Sequence, residues 1–446
     1  MFTTTQILAH FAVNSQFSDV PEAVVHEAKR AVLNWLGCSI AGSRTESVDC
    51  ALAAVNDLSG PRLATVLGRG ERLDISNAAF VNGVSADVLS FSDTHPATLM
   101  HPGGVVGCAA LALAERSKVS GRDFLHALII GYDIGCRIGL SIYPWHYNRG
   151  WHITGTAGIF GSAAASGRLL GLDERQMIWA LGIAATQAAG LREMFGSMSK
   201  NLHIGRAAQN GLLAALLAQK NFTSSEQSLE APRGYTRVLG ENPNLEIATS
   251  ELGTRYEITT NTYKPYPCGV VIHPIIEGCI TLAQQHNIDP ASVRRIALRC
   301  NPLVLELCGK KTPRHTLEAK LSVFYSAAVA VVARHVAERE YGDEFLRNPV
   351  VVRLRDSVTV KPDAAIREDE TDVTLEMMDG KTVHCHIDHV TGSVERPMSD
   401  HDMQEKFRGL TEPVLPRERI EQLIEACWNI TRLDDVSTLA RLSATA

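Results

Sequence analysis

Apolar residues recur at three- and four-residue spacing through most of the first 240 positions. Val24, Val25, Ala28, Val32, Leu33 and Leu36 form one such stripe behind Pro21-Glu22, a helix-opening pair. The same period predicts helices over residues 51–58, 74–88, 105–115, 124–141, 154–170, 174–190 and 204–220, with the fourth interrupted at Gly131 and Gly135. Residues 63–67 read as a short strand or extended link, and nothing from Asp74 to Phe222 alternates like a sheet.

The character changes at Thr262-Tyr-Lys-Pro-Tyr-Pro-Cys-Gly269. Beyond it a helix over 275–286 leads to Val293-Arg-Arg-Ile-Ala-Leu-Arg-Cys300, whose alternation marks a half-exposed strand. A buried helix is predicted over 317–335 and a strand over 357–361. Two more strands, 372–378 and 381–389, flank Asp379-Gly380, a strong hairpin signal. Charged, polar residues 396–407 read as a connection to a last helix at 417–428. The expected fold class is therefore mainly α: a large all-helical domain from residues 1–266 and 396–446, and a smaller inserted α+β domain, 267–395.

Composition narrows the partners. The 446 residues exceed one typical core, and 45% hydrophobic content fits a soluble globular enzyme. A net charge of -6 without a basic block argues against nucleic acid or an anionic membrane, leaving small molecules as ligands. The first 36 residues lack a signal-peptide pattern. The strongly apolar runs are too short to span a bilayer, and the long uncharged stretch 150–167 is diluted by His, Thr, Ser and Gly. Ten cysteines are scattered without C-x-x-C spacing, which indicates buried free thiols in a reducing cytoplasm rather than a disulfide framework or a zinc site.

Two stretches put ionisable groups at the mouths of small-residue helices: Gly150-Trp-His-Ile-Thr-Gly-Thr-Ala-Gly158, with His152, and Ser199-Lys-Asn-Leu-His-Ile-Gly-Arg206, with Lys200. Helix N-termini attract carboxylates, so this placement suits proton abstraction beside a carboxylate. Either residue alone also reads as plain structure, a solvated lysine or a satisfied core histidine. Asp93, His95 and His101 fall within nine residues of a proline-punctuated loop; their spacing matches no standard zinc motif, and a hydrogen-bonded acid/base cluster is expected. The aromatic loop from Tyr143 to Arg149, with Tyr147, reads as a pocket wall or an interface. Lys264 and His273 flank the proline-rich junction between the two domains, and Arg192, Arg206, Lys200 and Lys264 supply enough positive charge for two carboxylates.

Several motifs are absent: no G-x-G-x-x-G, P-loop, H-E-x-x-H or G-x-S-x-G occurs. Ser197-Met-Ser-Lys200 satisfies S-x-x-K, the serine acyl-transfer motif, without its usual companions. His384-Cys-His-Ile-Asp-His389 looks metal-binding, but strand periodicity puts His384 and His386 on one face and His389 on the other. No metal is expected.

Five motifs in order, Asp93-Thr-His…His101-Pro-Gly, Gly150-Trp-His-Ile-Thr-Gly, Lys200-x-x-His-x-Gly-Arg-Ala-Ala, Lys264-Pro-Tyr-Pro-Cys…His273-Pro and Ala319-Lys-Leu-Ser-x-x-Tyr325, resemble those of the MmgE/PrpD family. The resemblance covers nearly the whole chain. It implies a cofactor-free homodimer acting on a small di- or tricarboxylate, with the inserted α+β domain serving as a lid. It places Asp93, His101, His152 and Lys200 in the active site and Lys264, His273 and Tyr325 around the lid; Tyr147 is added from its loop. Members include 2-methylcitrate dehydratase, cis-aconitate decarboxylase and iminodisuccinate epimerase. The compact loop from Asp93 to His101 looks closest to the epimerase, so the expected activity is epimerisation beside a carboxylate, with Lys200 against Tyr147 on opposite walls and His101 or His152 as substitutes. Dehydratase or decarboxylase action is the alternative, and serine hydrolysis through Ser197 a remote one.

Overall fold

The computed structural model describes residues 2–445 and is mainly α-helical. The chain forms two compact units. One contains the residues up to Val88, Ser92–Asn261 and everything from Ser399 on; the other contains Leu89–Phe91 and Thr262–Met398.

The first unit is a stack of helices whose small residues let backbones touch. Its only ladder among the described residues pairs strand β1, Ala64–Thr65, with β2, Arg72–Leu73. The helices Ile75–Val88 and Ser199–Gln219 cross at Gly83 and Gly205: a Cβ on Gly83 would stand 2.7 Å from the Gly205 Cα, and one on Gly205 would stand 2.5 Å from the Phe80 carbonyl oxygen. Only paired glycines permit this approach. The Gly121–Ile142 helix runs unbroken through Gly131, where a break was expected. A glycine inside a helix is tolerated when packing requires it, and a Cβ on Gly131 would meet the Gly161 carbonyl oxygen of the Gly158–Leu169 helix at 2.7 Å. This helix is long and apolar enough to cross a bilayer, yet nearly all of it is buried inside the unit.

Three further boundaries differ from expectation. The predicted 204–220 helix begins at Ser199, which puts Lys200 inside its first turn rather than ahead of it. The predicted 317–335 helix is two, Thr316–Ala319 and Val323–Ala333, because Ser322 caps the second by accepting from the Tyr325 N–H. The polar 396–407 stretch holds a helix, Asp400–Thr411, opened by a Ser399/Asp402 capping box. Its charges mask an apolar stripe of Met403, Phe407 and Leu410; Phe407 packs against Gly37 of the Glu22–Gly42 helix.

The second unit is built on a four-stranded sheet of order β4-β3-β5-β6, comprising β3 Val293–Cys300, β4 Val358–Pro362, β5 Thr371–Met377 and β6 Thr382–Ile387. β3 pairs parallel with β4 and antiparallel with β5, and β5 and β6 form the hairpin around Asp379-Gly380, with Gly380 at φ +88°. The alternation in β5 buries Val373 and Leu375 with the apolar side of the His273–Gln285 helix.

The glycine crossing generates a testable pair of effects. Gly205→Val forces a branched side chain into the Phe80 backbone and is expected to destabilise the protein by about 1–3 kcal/mol or more. Gly409→Ala, in an exposed helical position with no heavy atom within 4 Å of the added Cβ, is expected to stabilise it by about 0.5–1 kcal/mol. Urea midpoints measure both, and equal midpoints for the Gly205 variant and the wild type contradict the packing account.

Candidate active site

The Ile75–Val88 helix ends with Asp87 in its last turn, and the crossing at Gly83 and Gly205 sets that turn beside Lys200. Lys200 Nζ donates to Asp87 Oδ2 at 2.5 Å, and Ser92 Oγ donates to Asp87 Oδ1 at 2.9 Å. Asp87 is buried, where a carboxylate persists only with such partners. A lysine in the first turn of a helix opposes the macrodipole, and the Asp87 charge offsets that cost. Lys200 therefore meets an anion, not the group of cations that the sequence suggests.

His203 follows Lys200 at i+3 on the same helical face. Its Nδ1 lies 2.8 Å from His152 Nδ1, so one ring donates and the other accepts on that axis. The buried His152 precedes the short Ile153–Thr156 helix, and the Phe195 ring stands edge-on to it at 5.0 Å. Burial first, then the Lys200 charge and the neighbouring His203 and His101, hold the His152 pKa well below the ordinary imidazole value. Burial and Lys200 also lower that of His203. Both rings are neutral at pH 7.

The 92–101 loop supplies the third part. Asp93 is wholly buried, its Oδ2 accepting from Tyr132 Oη and Asn261 Nδ2 at 2.9 Å each and from the Gly103 N–H at 3.2 Å. Burial raises its pKa in spite of those bonds. The Asp93 carbonyl accepts from His101 Nδ1 at 2.7 Å, Thr94 Oγ1 lies 3.2 Å from the same nitrogen, and the His101 N–H donates to Thr154 Oγ1 at 3.1 Å. With Nδ1 engaged as a donor, a neutral His101 carries its lone pair on Nε2. Asp93, expected to be catalytic, anchors through Oδ2 the loop that carries His101. His101 in turn occupies the N-cap position of the Pro102–Ala114 helix, whose first N–H groups favour anions.

The structure thus gathers Lys200, His152 and His101, with Asp93 behind, and adds Asp87, Ser92 and His203. The last three were not singled out from the sequence. The i+3 spacing of Lys200 and His203 and the place of Asp87 near a helix end were the available signals. Other candidates have packing partners of their own. The Arg192 guanidinium sits 4.0 Å over the Tyr147 ring and donates to the Tyr147 carbonyl, so these two form a packed pair. Arg206 is exposed, lies over Phe80 and donates to Gln209. Ser197 is exposed and donates to the Met194 carbonyl at 2.7 Å while Lys200 faces Asp87, so the S-x-x-K pair does not form a nucleophile and base.

In the second unit Lys264 is buried with Nζ on the Ser90 carbonyl at 3.2 Å, and His273 opens its helix with Tyr266 edge-on at 5.4 Å. Tyr325 is buried in the core, donating to the Glu340 carbonyl at 2.5 Å, which gives it a structural role in this unit. On the hairpin, His384 and His386 both reach Asp372 Oδ1, at 3.3 and 3.0 Å, whereas His389 turns to Asp369. Among the described residues, the one group whose donors could converge on a metal is Asp369, His389 and Glu395, outside every candidate named above.

Comparison with known proteins adds the family. The model of the MmgE/PrpD N-terminal domain matches residues 6–248, and that of the MmgE/PrpD C-terminal domain matches residues 266–430. The chain belongs to the MmgE/PrpD family. Among curated members, the cis-aconitate decarboxylase of Aspergillus terreus is 28% identical over 467 aligned residues, covering 98% of this chain and 95% of the relative. The cis-aconitate decarboxylases of Homo sapiens and Mus musculus are 29% and 26% identical, covering 94% and 99% of this chain and 90% and 93% of their own lengths. The chain is thus similar, end to end, to MmgE/PrpD enzymes with lyase names, and the epimerase resemblance expected from the compact loop finds no support among them.

Buried neutral imidazoles have a consequence for stability. Burial lowers the pKa of His126 and His146 to about 4, and those of His152 and His203 are lowered too. Each binds its proton more readily in the unfolded chain, so acid favours unfolding from about pH 6.5 down to the folded-state pKa. Asp133, raised to about 6 by burial against the pull of Arg137, acts in the opposite sense, as do the burial-raised Asp93, Glu115 and Glu368. The carboxylates that hydrogen bonds and cations hold low, among them Asp74, Glu257, Glu376 and Asp435, add to the acid-side loss as the pH nears 4.5. The melting temperature is expected to fall steadily from pH 6.5 to 4.5; a flat or rising calorimetric profile contradicts this.

Proposed function

We propose that this protein is a lyase that removes carbon dioxide from a small unsaturated tricarboxylate, with cis-aconitate as the first substrate to test. The observation that carries the reading is the grouping of Lys200, His101 and neutral imidazoles at one place, in a chain collinear with relatives named for that reaction. Epimerisation needs an acid and a base on opposite faces of one carbon. The Tyr147 ring, expected to face Lys200, carries the Arg192 guanidinium on its face.

Decarboxylation asks for less. The bond to the departing carboxylate breaks, carbon dioxide leaves without the electron pair, and that pair spreads through the double bond towards a remaining carboxylate. One proton then quenches it at carbon. The site must stabilise developing negative charge and deliver one proton. The Lys200 ammonium, directed by Asp87, serves the first need. His101, held through Nδ1 by the Asp93 carbonyl, takes a proton from solvent at Nε2 and passes it to the carbanionic carbon, returning to the neutral ring. His152 and His203, being neutral, leave Lys200 as the cation that a substrate carboxylate meets, while Asp87 and Ser92 fix its direction.

Proton NMR of the purified protein with cis-aconitate in deuterium oxide is expected to show a five-carbon unsaturated dicarboxylate carrying one solvent deuteron, with equimolar carbon dioxide. Lys200→Met is expected to lower kcat by roughly 10² to 10⁴, and Ser197→Ala to leave it within about twofold. Solvent exchange without carbon dioxide returns the assignment to an epimerase, and gain or loss of water to a dehydratase.

A further inference from the structure

We propose that Glu257 and His95 form a buried positioning pair that holds the 92–101 loop, and with it His101, in its working geometry. The kinetic part of this inference rests on the lyase reading above; the spectroscopic part does not.

The two side chains are only 1% and 3% exposed, with His95 Nε2 3.1 Å from Glu257 Oε2. Burial alone would raise the Glu257 pKa, yet the bond from His95, aided by the charges of His95, Arg255 and Arg137, brings it below the usual carboxylate value. Glu257 is therefore an anion and an acceptor only, so His95 must donate from Nε2. The other ring nitrogen is taken by Thr98 Oγ1 at 2.8 Å. Both nitrogens are committed, and the ring plane is fixed.

Glu257 is itself held. Its backbone N–H donates to Asp133 Oδ1 at 2.8 Å, Asp133 Oδ2 accepts from Arg137 Nε at 2.7 Å, and the Arg137 guanidinium donates to the carbonyls of Ser250 and Arg255 at 2.6 Å each. Arg255 Nη1 reaches Glu257 Oε1 at 2.6 Å. Asp133 adjoins Tyr132, whose hydroxyl holds Asp93, and Asn261, four residues beyond Glu257, holds the same Asp93 oxygen. The loop is thus fastened at Asp93 and again at His95 to one helix and one short segment.

Between these fastenings and His101 the backbone folds sharply. The His95 N–H donates to the Met100 carbonyl at 2.8 Å, and Leu99 has φ +59°, a left-handed conformation that a branched side chain adopts only when its surroundings impose it. Met100 directly precedes His101, so moving His95 moves the residue that aims His101. A buried carboxylate held by polar partners is rarely the most stable filling of a core, which argues that this one is retained for geometry.

Three variants test the pair. Glu257→Asp keeps the charge but draws the carboxylate back by one methylene; Glu257→Gln keeps the length and an acceptor; Thr98→Val frees the far side of the His95 ring. Imidazole signals of His95 and His101 are followed in protein labelled with ¹⁵N-histidine, assigned through His95→Asn and His101→Asn, alongside kcat and KM. The expected result is that Glu257→Asp lowers kcat by about 10- to 100-fold with KM within about threefold and shifts the His101 signals. Glu257→Gln is expected to stay within about fivefold in kcat, with His101 near its wild-type position. Should Glu257→Asp fail to fold, Thr98→Val is expected to shift the His101 signals away from their wild-type positions. Unchanged His101 signals in the Asp or Val variant overturn the proposal, as do equal losses of kcat in the Asp and Gln variants. If the wild type releases no carbon dioxide, the lyase reading fails and the imidazole signals still decide the positioning claim.

Discussion

The ion pair between Lys200 and Asp87 is the interaction on which the site depends. A lysine in the first turn of a helix and a carboxylate in a buried turn are each unfavourable alone, and together they satisfy one another at 2.5 Å. The pair exists because two glycines let the helices carrying them cross at backbone contact. It also sets the state of its neighbours, since the Lys200 charge joins burial in keeping His152 and His203 neutral. Packing, electrostatics and chemistry are therefore links of one chain that begins with Gly83 and Gly205.

This arrangement separates two tasks. In the proposed reaction, positive charge for a polycarboxylate is concentrated on Lys200, while proton traffic falls to His101, whose Nδ1 is held by the Asp93 carbonyl. The same division would serve any reaction in which electron density builds up beside a carboxylate. That is why motifs alone leave the reaction open within the family, and why the collinear lyase relatives carry the proposed choice.

Much of the fold is legible in the sequence because its elements obey simple periods. The stripe in residues 22–42, the 417–428 helix and the hairpin at Asp379-Gly380 follow from spacing and turn chemistry alone. The helix at 400–411 does not, because its charged face hides a stripe only three residues deep, and Gly131 looks like a break until its contact with Gly161 is seen. In the site, Lys200, His152 and His101 stand out by type and placement. Asp87 and His203 do not, because a carboxylate near a helix end and a histidine within a helix usually have bland roles; only the crossing shows that they meet Lys200 and His152. Arg206 and Tyr325 have partners that spacing alone does not reveal, Gln209 and the Glu340 carbonyl.

The account is tested most directly by the titration of His152. Its imidazole signals, assigned through a His152→Asn variant, are followed by heteronuclear NMR from pH 8 downward in wild-type protein and in Lys200→Met. The wild-type ring is expected to stay neutral well below the usual imidazole range for as long as the protein remains folded. Removing Lys200 deletes a positive neighbour and leaves the Asp87 charge uncompensated, so the His152 pKa should move upward in the variant. A His152 that titrates near pH 6.5 in the wild type, or one whose titration is indifferent to the loss of Lys200, would contradict the electrostatic coupling at the centre of this site.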